Sequence, residues 1–332
     1  MRVLVTGAAG KLGSNLVRRL TERGHRVRAL DLADSPTWYR LKPFEPETVA
    51  GDFADAEVAR RAVEGVDAVV NLASIGHFAR DNAHFFTTDT TGTYNLLDGA
   101  VKAGTVGRFV QASSFVSYGP SLYEPVDEHH PQRPNNTLGM TKLTAEVMCE
   151  AFRAEHKLPT VRLRFTWVHA GLDFLNVPFR FTAILRRARN AAREGTPGAA
   201  EALARLEELA KQGEERLTVV RGPDGKSWTL HLVDIRDLVS LVETVLVHPG
   251  AVGEAFNVAP PSPISYEAGA PYLAEKLGLP CDDVTMPMSS TVHLSQAKSR
   301  LLLGFVPQHD FFRSVDDAIR MREGEDIGVV PL

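Results

Sequence analysis

Thr6-Gly7-Ala8-Ala9-Gly10-Lys11-Leu12-Gly13 follows the apolar run Val3-Leu4-Val5 and leads into a segment with Leu12, Leu16, Val17 and Leu20 at helical spacing. A strand that turns at once into a helix through three glycines lets main-chain N–H groups come close to a diphosphate at the helix N-terminus, where unpaired donors and the helix dipole favour an anion. Glycines at 7, 10 and 13 are a weak signal alone. Set between a β-run and a helix, they read as the cradle of a dinucleotide, with Gly7, Ala9, Gly10, Lys11, Leu12 and Gly13 around it. Asp31 closes the next β-run, 27–30, eighteen residues after Gly13. A carboxylate there accepts hydrogen bonds from the adenosine ribose and repels a 2′-phosphate, and Leu32 and Ala33 bring no arginine to receive one; NAD is therefore the expected cofactor.

Outward from the cradle, strand-like runs at 2–6, 27–30, 48–50, 68–72, 108–112 and 160–165 alternate with helical stretches near 11–23, 56–63, 90–103 and 140–156. That alternation predicts an α/β fold, a Rossmann doubly wound parallel sheet with helices on both faces. Beyond about residue 170, prolines at 178, 197, 223, 249, 260, 261, 263 and 271 punctuate shorter elements. We therefore expect an NAD-binding domain over 1–170, rejoined by segments near 230–260, and a mainly substrate-binding α/β lobe over 171–332. Leu203, Leu206 and Leu209 mark an extra amphipathic helical segment within 188–213.

Composition narrows the classes. With 44% hydrophobic and 23% charged residues among 332, the chain reads as globular, and no apolar run reaches the roughly 20 residues of a spanning helix. A net charge of -4 supplies no broad basic field, so a small molecule, rather than nucleic acid or membrane, is the expected partner. Cys149 and Cys281 stand in no ligand-like spacing, so no metal is expected. The start of the chain carries no leader-like pattern, which reads as cytoplasmic.

These motifs resemble the extended short-chain dehydrogenase/reductases, the NAD-dependent epimerase/dehydratase group. TGAAGKLG is similar to that family's TGxxGxxG. Gly51-Asp52-Phe53-Ala54-Asp55 resembles its GDxxD element, which implies Asp52 and Phe53 beside adenine. Asn71-Leu72-Ala73-Ser74 resembles the segment that lines the cofactor, implying Leu72, Ala73 and Ser74 there. The stretches at 92–97, 253–258 and 303–307 resemble further family signatures. The resemblance also implies a homodimer through the helices near 90–103 and 140–156.

In that family a serine or threonine binds the reacting oxygen, a tyrosine is the acid or base, and a lysine four residues later lowers the tyrosine pKa and holds the nicotinamide ribose. The logic is electrostatic, since a phenol near pKa 10 loses its proton at neutral pH only beside positive charge. Ser113-Ser114-Phe115-Val116-Ser117-Tyr118-Gly119 resembles the serine segment and implies Ser114 in the hydroxyl role; Lys142-Leu143-Thr144-Ala145 implies Lys142 as the lysine. Four residues before Lys142 stands Leu138, which neither donates nor accepts a proton. Either another group carries the proton, with Tyr118 and His77, then Asp127, Glu128 and His129, as candidates, or the chemistry needs no strong base, or NAD is bound without turnover.

On the substrate side, 222–231 resembles the segment that often supplies a phosphate-clamping arginine but carries Ser227 and Trp228, leaving Arg180, Arg186 and Arg187 as replacements. Trp167, Phe174 and Phe179 suggest an apolar or ring-stacking pocket. The expected activity is NAD-dependent oxidation or redox isomerisation at a secondary hydroxyl or ketone of a sugar-like or cyclic compound. The alternatives are an NAD-binding protein without redox turnover, or a nucleotide-sugar epimerase/dehydratase with displaced arginines.

Overall fold

Alternating side chains on the first strand decide the layering. In β1 (Arg2–Thr6), Val3 and Val5 face one side and Leu4 the other, all fully buried, as required of a strand covered on both faces. Val3 and Val5 pack with Leu16, Val17 and Leu20 of α1 (Lys11–Glu22) and with Leu238, Leu241 and Val245 of α7 (Ile235–Val247). Leu4 packs with Ala59 and Val63 of α2 (Ala56–Val63) and with Leu96 and Leu97 of α3 (Thr93–Ala103). The computed structural model describes residues 1–74, 86–211 and 213–331.

The sheet has seven strands, all parallel. Besides β1 they are β2 (Arg26–Asp31), β3 (Glu47–Ala50), β4 (Ala68–Asn71), β5 (Arg108–Ser114), β6 (Thr160–Phe165) and β11 (Ala255–Val258). Their order is β11-β6-β5-β4-β1-β2-β3. The order reverses between β1 and β4, and at such a switch point the loops after the strands diverge and open a crevice at their C-terminal ends. β11 reaches the far edge after the chain has passed through the first part of a second layer, and its register places Asn257 beside Arg164.

That second layer has its own core. Phe179, Trp228 and Tyr266 pack with Ile184 of α5 (Phe181–Arg193), Leu206 of α6 (Ala199–Ala210), Leu273 of α8 (Tyr266–Leu277) and Val315 of α10 (Phe311–Arg322). The helical segment expected within 188–213 is two helices. Gly195 and Gly198 take left-handed φ of 73° and 77° and turn α5 into α6.

Two boundaries differ from the periodicity, and both matter for the site. The helix read as 140–156, α4 (Thr137–His156), starts three residues earlier, because the Asn136 side chain accepts the Gly139 N–H at 2.8 Å and caps it. Leu138 and Lys142 therefore share one helix. The helix read from residue 90 begins as a π-helical turn at Thr87–Gly92 before continuing as α3, a wide turn of the kind often found at functional sites.

Candidate active site

Gly7 and Gly13 shape the crevice. Gly7 has φ +62°, and a Cβ there would stand 2.9 Å from the Ala73 Cα; a Cβ at Gly13 would collide with the Gly7 carbonyl. With both bare, the turn after β1 lies against Ala73 and α1 starts tight on that turn, with Gly10 at its N-cap and no side chain capping it, so its first N–H groups are available to a ligand. The crevice is a cavity of about 390 Å³, within the range of small-molecule sites. Gly7, Gly10, Lys11, Leu12, Gly13, Asp31, Asp52, Phe53, Leu72, Ala73 and Ser74 all line it. Ala9 does not: it is fully buried, and its N–H donates to Asp31 Oδ2 at 2.8 Å. Leu32 N–H donates to Oδ1 at 2.8 Å. Burial pushes the Asp31 carboxyl above its usual range, while these two N–H groups and the Ser35 hydroxyl act against that. The carboxylate is thus oriented at the edge of the cavity by the cradle itself.

Sequence reading missed Ser35, Thr37 and Thr88, which also line the cavity, as do Leu30, Leu32 and Gly51. Ser35 and Thr37 hydroxyls lie 3.1 Å apart just beyond β2, a polar pair whose only advance signal was its position after Asp31. The Lys11 ammonium is 2.5 Å from Asp173 Oδ2, in a short helical turn, Gly171–Leu175, belonging to the second layer. His169 lies beside that pair; burial pushes its imidazole down, and its Nδ1 lies 3.2 Å from the Trp167 carbonyl. These cavity residues, two bare glycines, an uncapped helix start and an oriented carboxylate, suit the diphosphate and adenosine ribose of NAD.

Ser114 ends β5 at the same edge of the sheet. It is half-buried, its hydroxyl 3.5 Å from the Phe165 carbonyl and 3.4 Å from the Val116 N–H, long contacts that leave it able to bind a ligand oxygen. Lys142, on the second turn of α4, has a side chain only 6% exposed; its Nζ lies 3.2 Å from Oδ2 of Asp89, whose side chain is 1% exposed. Asp89 belongs to the π-helical turn and escaped sequence reading, since nothing in TTDTTG marks a carboxylate that faces a lysine more than fifty residues on.

Tyr118 is held elsewhere. Its hydroxyl donates to Asn257 Oδ1 at 2.7 Å and accepts from Arg164 Nη1 at 2.8 Å. Burial pushes this phenol further above its ordinary pKa than the nearby Arg164 charge pulls it down, so it keeps its proton at neutral pH. Tyr118 is thus a buried hydroxyl whose partners are Asn257 and Arg164. Arg164 pairs with Glu146 at 2.7 Å, and Ser113 binds the same carboxylate, so one buried network ties β5, α4, β6 and β11 together. Glu128 accepts the Asn257 N–H at 2.8 Å, and Asp127 is 3.0 Å from the Tyr123 hydroxyl. His129 is exposed. His77 lies outside the described residues.

Of the aromatic residues, Trp167 is half-buried and meets the Phe115 ring edge-on at 5.2 Å, next to Ser114. Phe174 and Phe179 are fully buried in the second core, packed on Phe311 at 6.5 and 5.4 Å. Arg180 donates to the Leu175 carbonyl, and the Arg187 guanidinium lies 5.2 Å over the Trp228 ring, so both are already engaged. Among the described residues no helix is long and apolar enough to cross a membrane.

Comparison with known proteins agrees with this geometry. The family model "NAD dependent epimerase/dehydratase family" matches residues 3–259. A short-chain dehydrogenase/reductase superfamily protein from Agrobacterium tumefaciens, solved with bound NAD, is 30% identical, with 97% of each chain covered and a TM-score of 0.84. Among curated proteins, a 3 beta-hydroxysteroid dehydrogenase/Delta 5-->4-isomerase of Mycobacterium tuberculosis is 40% identical over 157 residues, 44% of this chain and 41% of that protein. A dTDP-glucose 4,6-dehydratase of Streptomyces antibioticus is 32% identical over 170 residues, 48% of this chain and 50% of that protein. The chain spans about half the length of these curated relatives. With its doubly wound sheet, glycine cradle and Asp31, the chain belongs to the NAD-dependent epimerase/dehydratase family of extended short-chain dehydrogenase/reductases, and NAD is its cofactor.

Proposed function

We propose that this protein is an NAD-dependent oxidoreductase that acts on a secondary hydroxyl or ketone of an apolar cyclic compound. The observation that carries this reading is the T-shaped pair of Phe115 and Trp167 beside Ser114, together with a leucine, Leu138, four residues before Lys142, where the family resemblance implies a phenol. Such a surface favours a flat hydrocarbon or aromatic ring, because apolar area leaves water there without stranding a polar group. Bound NAD supplies a hydride acceptor or donor. The chain's own part is to hold that cofactor through the cradle and Asp31, to keep Lys142 near its ribose, and to bind the reacting oxygen at the Ser114 hydroxyl.

The arginine environments weaken the nucleotide-sugar alternative, since Arg180 and Arg187 are spent on a carbonyl and a ring. The name of the hydroxysteroid dehydrogenase relative supports an apolar substrate, and the names of the dehydratase relatives keep sugars in the test. The chain acts as a homodimer in this reading, joined through α3 and α4, on which Tyr94, Met140 and Val147 are about half exposed. Incubating the protein and NAD with 3β-hydroxysteroids, cyclic alcohols and dTDP- or UDP-sugars, and following reduced-cofactor absorbance, tests the substrate class. Turnover with the steroid or cyclic alcohols supports the reading. Turnover with the nucleotide sugars alone refutes it, and a cofactor that stays oxidised with every alcohol favours NAD binding without turnover.

A further inference from the structure

Among the described residues that line the cofactor crevice, all of them between Gly7 and Thr88, Lys11 is the one that an ion pair ties to the second layer. Its side chain stands beside Gly10 and Gly13 on the first turn of α1, and its ammonium meets Asp173 Oδ2 at 2.5 Å. Asp173 is anchored on the far side of that contact. Its carboxylate also accepts the Ala170 N–H at 3.1 Å, which holds the turn Gly171–Leu175, and Phe174 and Leu175 of the same turn are buried in the second core. Gly171 seats the turn against α10: it takes φ +49°, and a Cβ there would collide with the Met321 sulfur. Burial keeps the nearby His169 imidazole uncharged at neutral pH, so Lys11 is the cation that faces Asp173. The two side chains are 40% and 27% exposed. Water and salt reach a pair this open, so it adds no more than about fivefold to an equilibrium constant and breaks readily.

We propose that Lys11 and Asp173 form a strap between the two layers at the cofactor crevice, and that NAD enters and leaves when the pair opens. The strap goes beyond the oxidoreductase reading above and does not depend on it. Both partners are protein groups, so opening the pair costs the same whichever way the cofactor moves. The strap therefore sets the rates of cofactor exchange and leaves the affinity nearly unchanged. A carboxylate that merely competed with the cofactor diphosphate for Lys11 would act otherwise, because its removal would free the ammonium for the diphosphate and tighten binding. Since the pair is open to solvent, screening by salt loosens it, and exchange quickens as ionic strength rises.

The test is NADH exchange by stopped flow, followed by cofactor fluorescence: capture of NADH by the protein, and its release from the loaded protein on mixing with excess NAD. Asp173→Asn keeps an oxygen for the Ala170 N–H and removes the charge. It raises both rate constants about three- to fivefold and leaves Kd within about twofold of the parent. Asp173→Glu keeps the charge and stays nearer the parent, a rescue that damage to the turn would not give. In a Lys11→Met background Asp173→Asn changes the rates no further, because the pair is already gone. Raising salt from about 20 mM to about 500 mM brings the parent's rates towards those of Asp173→Asn. Cooperative melting checks that each variant folds. Release that is unchanged or slower in Asp173→Asn overturns the strap. So does an affinity that shifts by as much as the rates, or an effect of full size in the Lys11→Met background. No step needs an alcohol substrate, so failure here leaves the oxidoreductase reading standing, and failure of that reading leaves the strap standing.

Discussion

Replacing Glu146 with alanine probes the buried network that holds the two halves of the site together. The pair it makes with Arg164 has side chains 2% and 6% exposed and an N–O distance of 2.7 Å. Burial draws the Arg164 guanidinium down, but the hydrogen bonds and charge of Glu146, with Tyr118 adding to them, outweigh it and hold the arginine above its ordinary value. Without the carboxylate, the charge remains buried with only neutral acceptors: the Tyr118 hydroxyl at 2.8 Å, Gln132 Oε1 at 3.0 Å and the Glu128 carbonyl at 3.1 Å. Removing one partner of such a pair costs about 3–5 kcal/mol, and the Ser113 hydroxyl that loses its acceptor adds roughly 1 kcal/mol. An unfolding entropy of about 2.1 cal/mol/K per residue gives roughly 0.7 kcal/mol/K for 332 residues, so Glu146→Ala lowers Tm by about 6–9 °C. Differential scanning calorimetry reads this, with the Glu146→Leu, Arg164→Met double variant alongside. The double variant recovers most of the loss, because two apolar side chains leave no stranded charge. A drop below about 2 °C for Glu146→Ala, or a double variant no better than the single, refutes the argument that stranded charge dominates.

Three further outcomes are expected. Asp31→Asn weakens NAD by about 10- to 100-fold, since charge-assisted hydrogen bonds of about 1.5–3 kcal/mol are reduced, and narrows the preference over NADP; fluorescence titration with both cofactors checks it. Gly13→Ala abolishes NAD binding because the added methyl collides with the Gly7 carbonyl and moves the cradle, which calorimetric titration shows as a lost binding isotherm. Burial pushes the His231 imidazole down to about 4, so the folded protein disfavours its protonation. The unfolded chain takes up that proton from about pH 6.5 downward; stability is therefore full above about pH 6.5 and falls by about 3 kcal/mol as pH drops to about 4. Urea unfolding of the parent against His231→Gln, which cannot titrate, isolates that part of the acid sensitivity.

The residues of the cofactor cradle were legible in the chain because they are local. A strand, a glycine turn, a helix start and the acid ending the next strand lie within the first thirty-one residues, and the backbone alone brings them together. The alternation of apolar runs likewise announced a parallel sheet, since each strand buried on both faces reads as an unbroken apolar stretch. Other features arose only in three dimensions. The place of Leu138 in the first turn of α4 depends on an asparagine cap; the partners of the Tyr118 hydroxyl, Arg164 and Asn257, are drawn from β6 and β11; and the burial of Phe174 and Phe179 depends on Phe311, far along the chain. The pairing of Lys142 with Asp89 belongs to the same class, a contact across fifty-three positions that no spacing rule encodes. By itself the sequence determined which cofactor belongs to the chain and which glycines shape the crevice after β1, because that crevice is built on one contiguous strand-turn-helix unit. Which groups stand beside Lys142 and Tyr118 was decided by tertiary structure, because those side chains come from separate elements whose packing sets their distances.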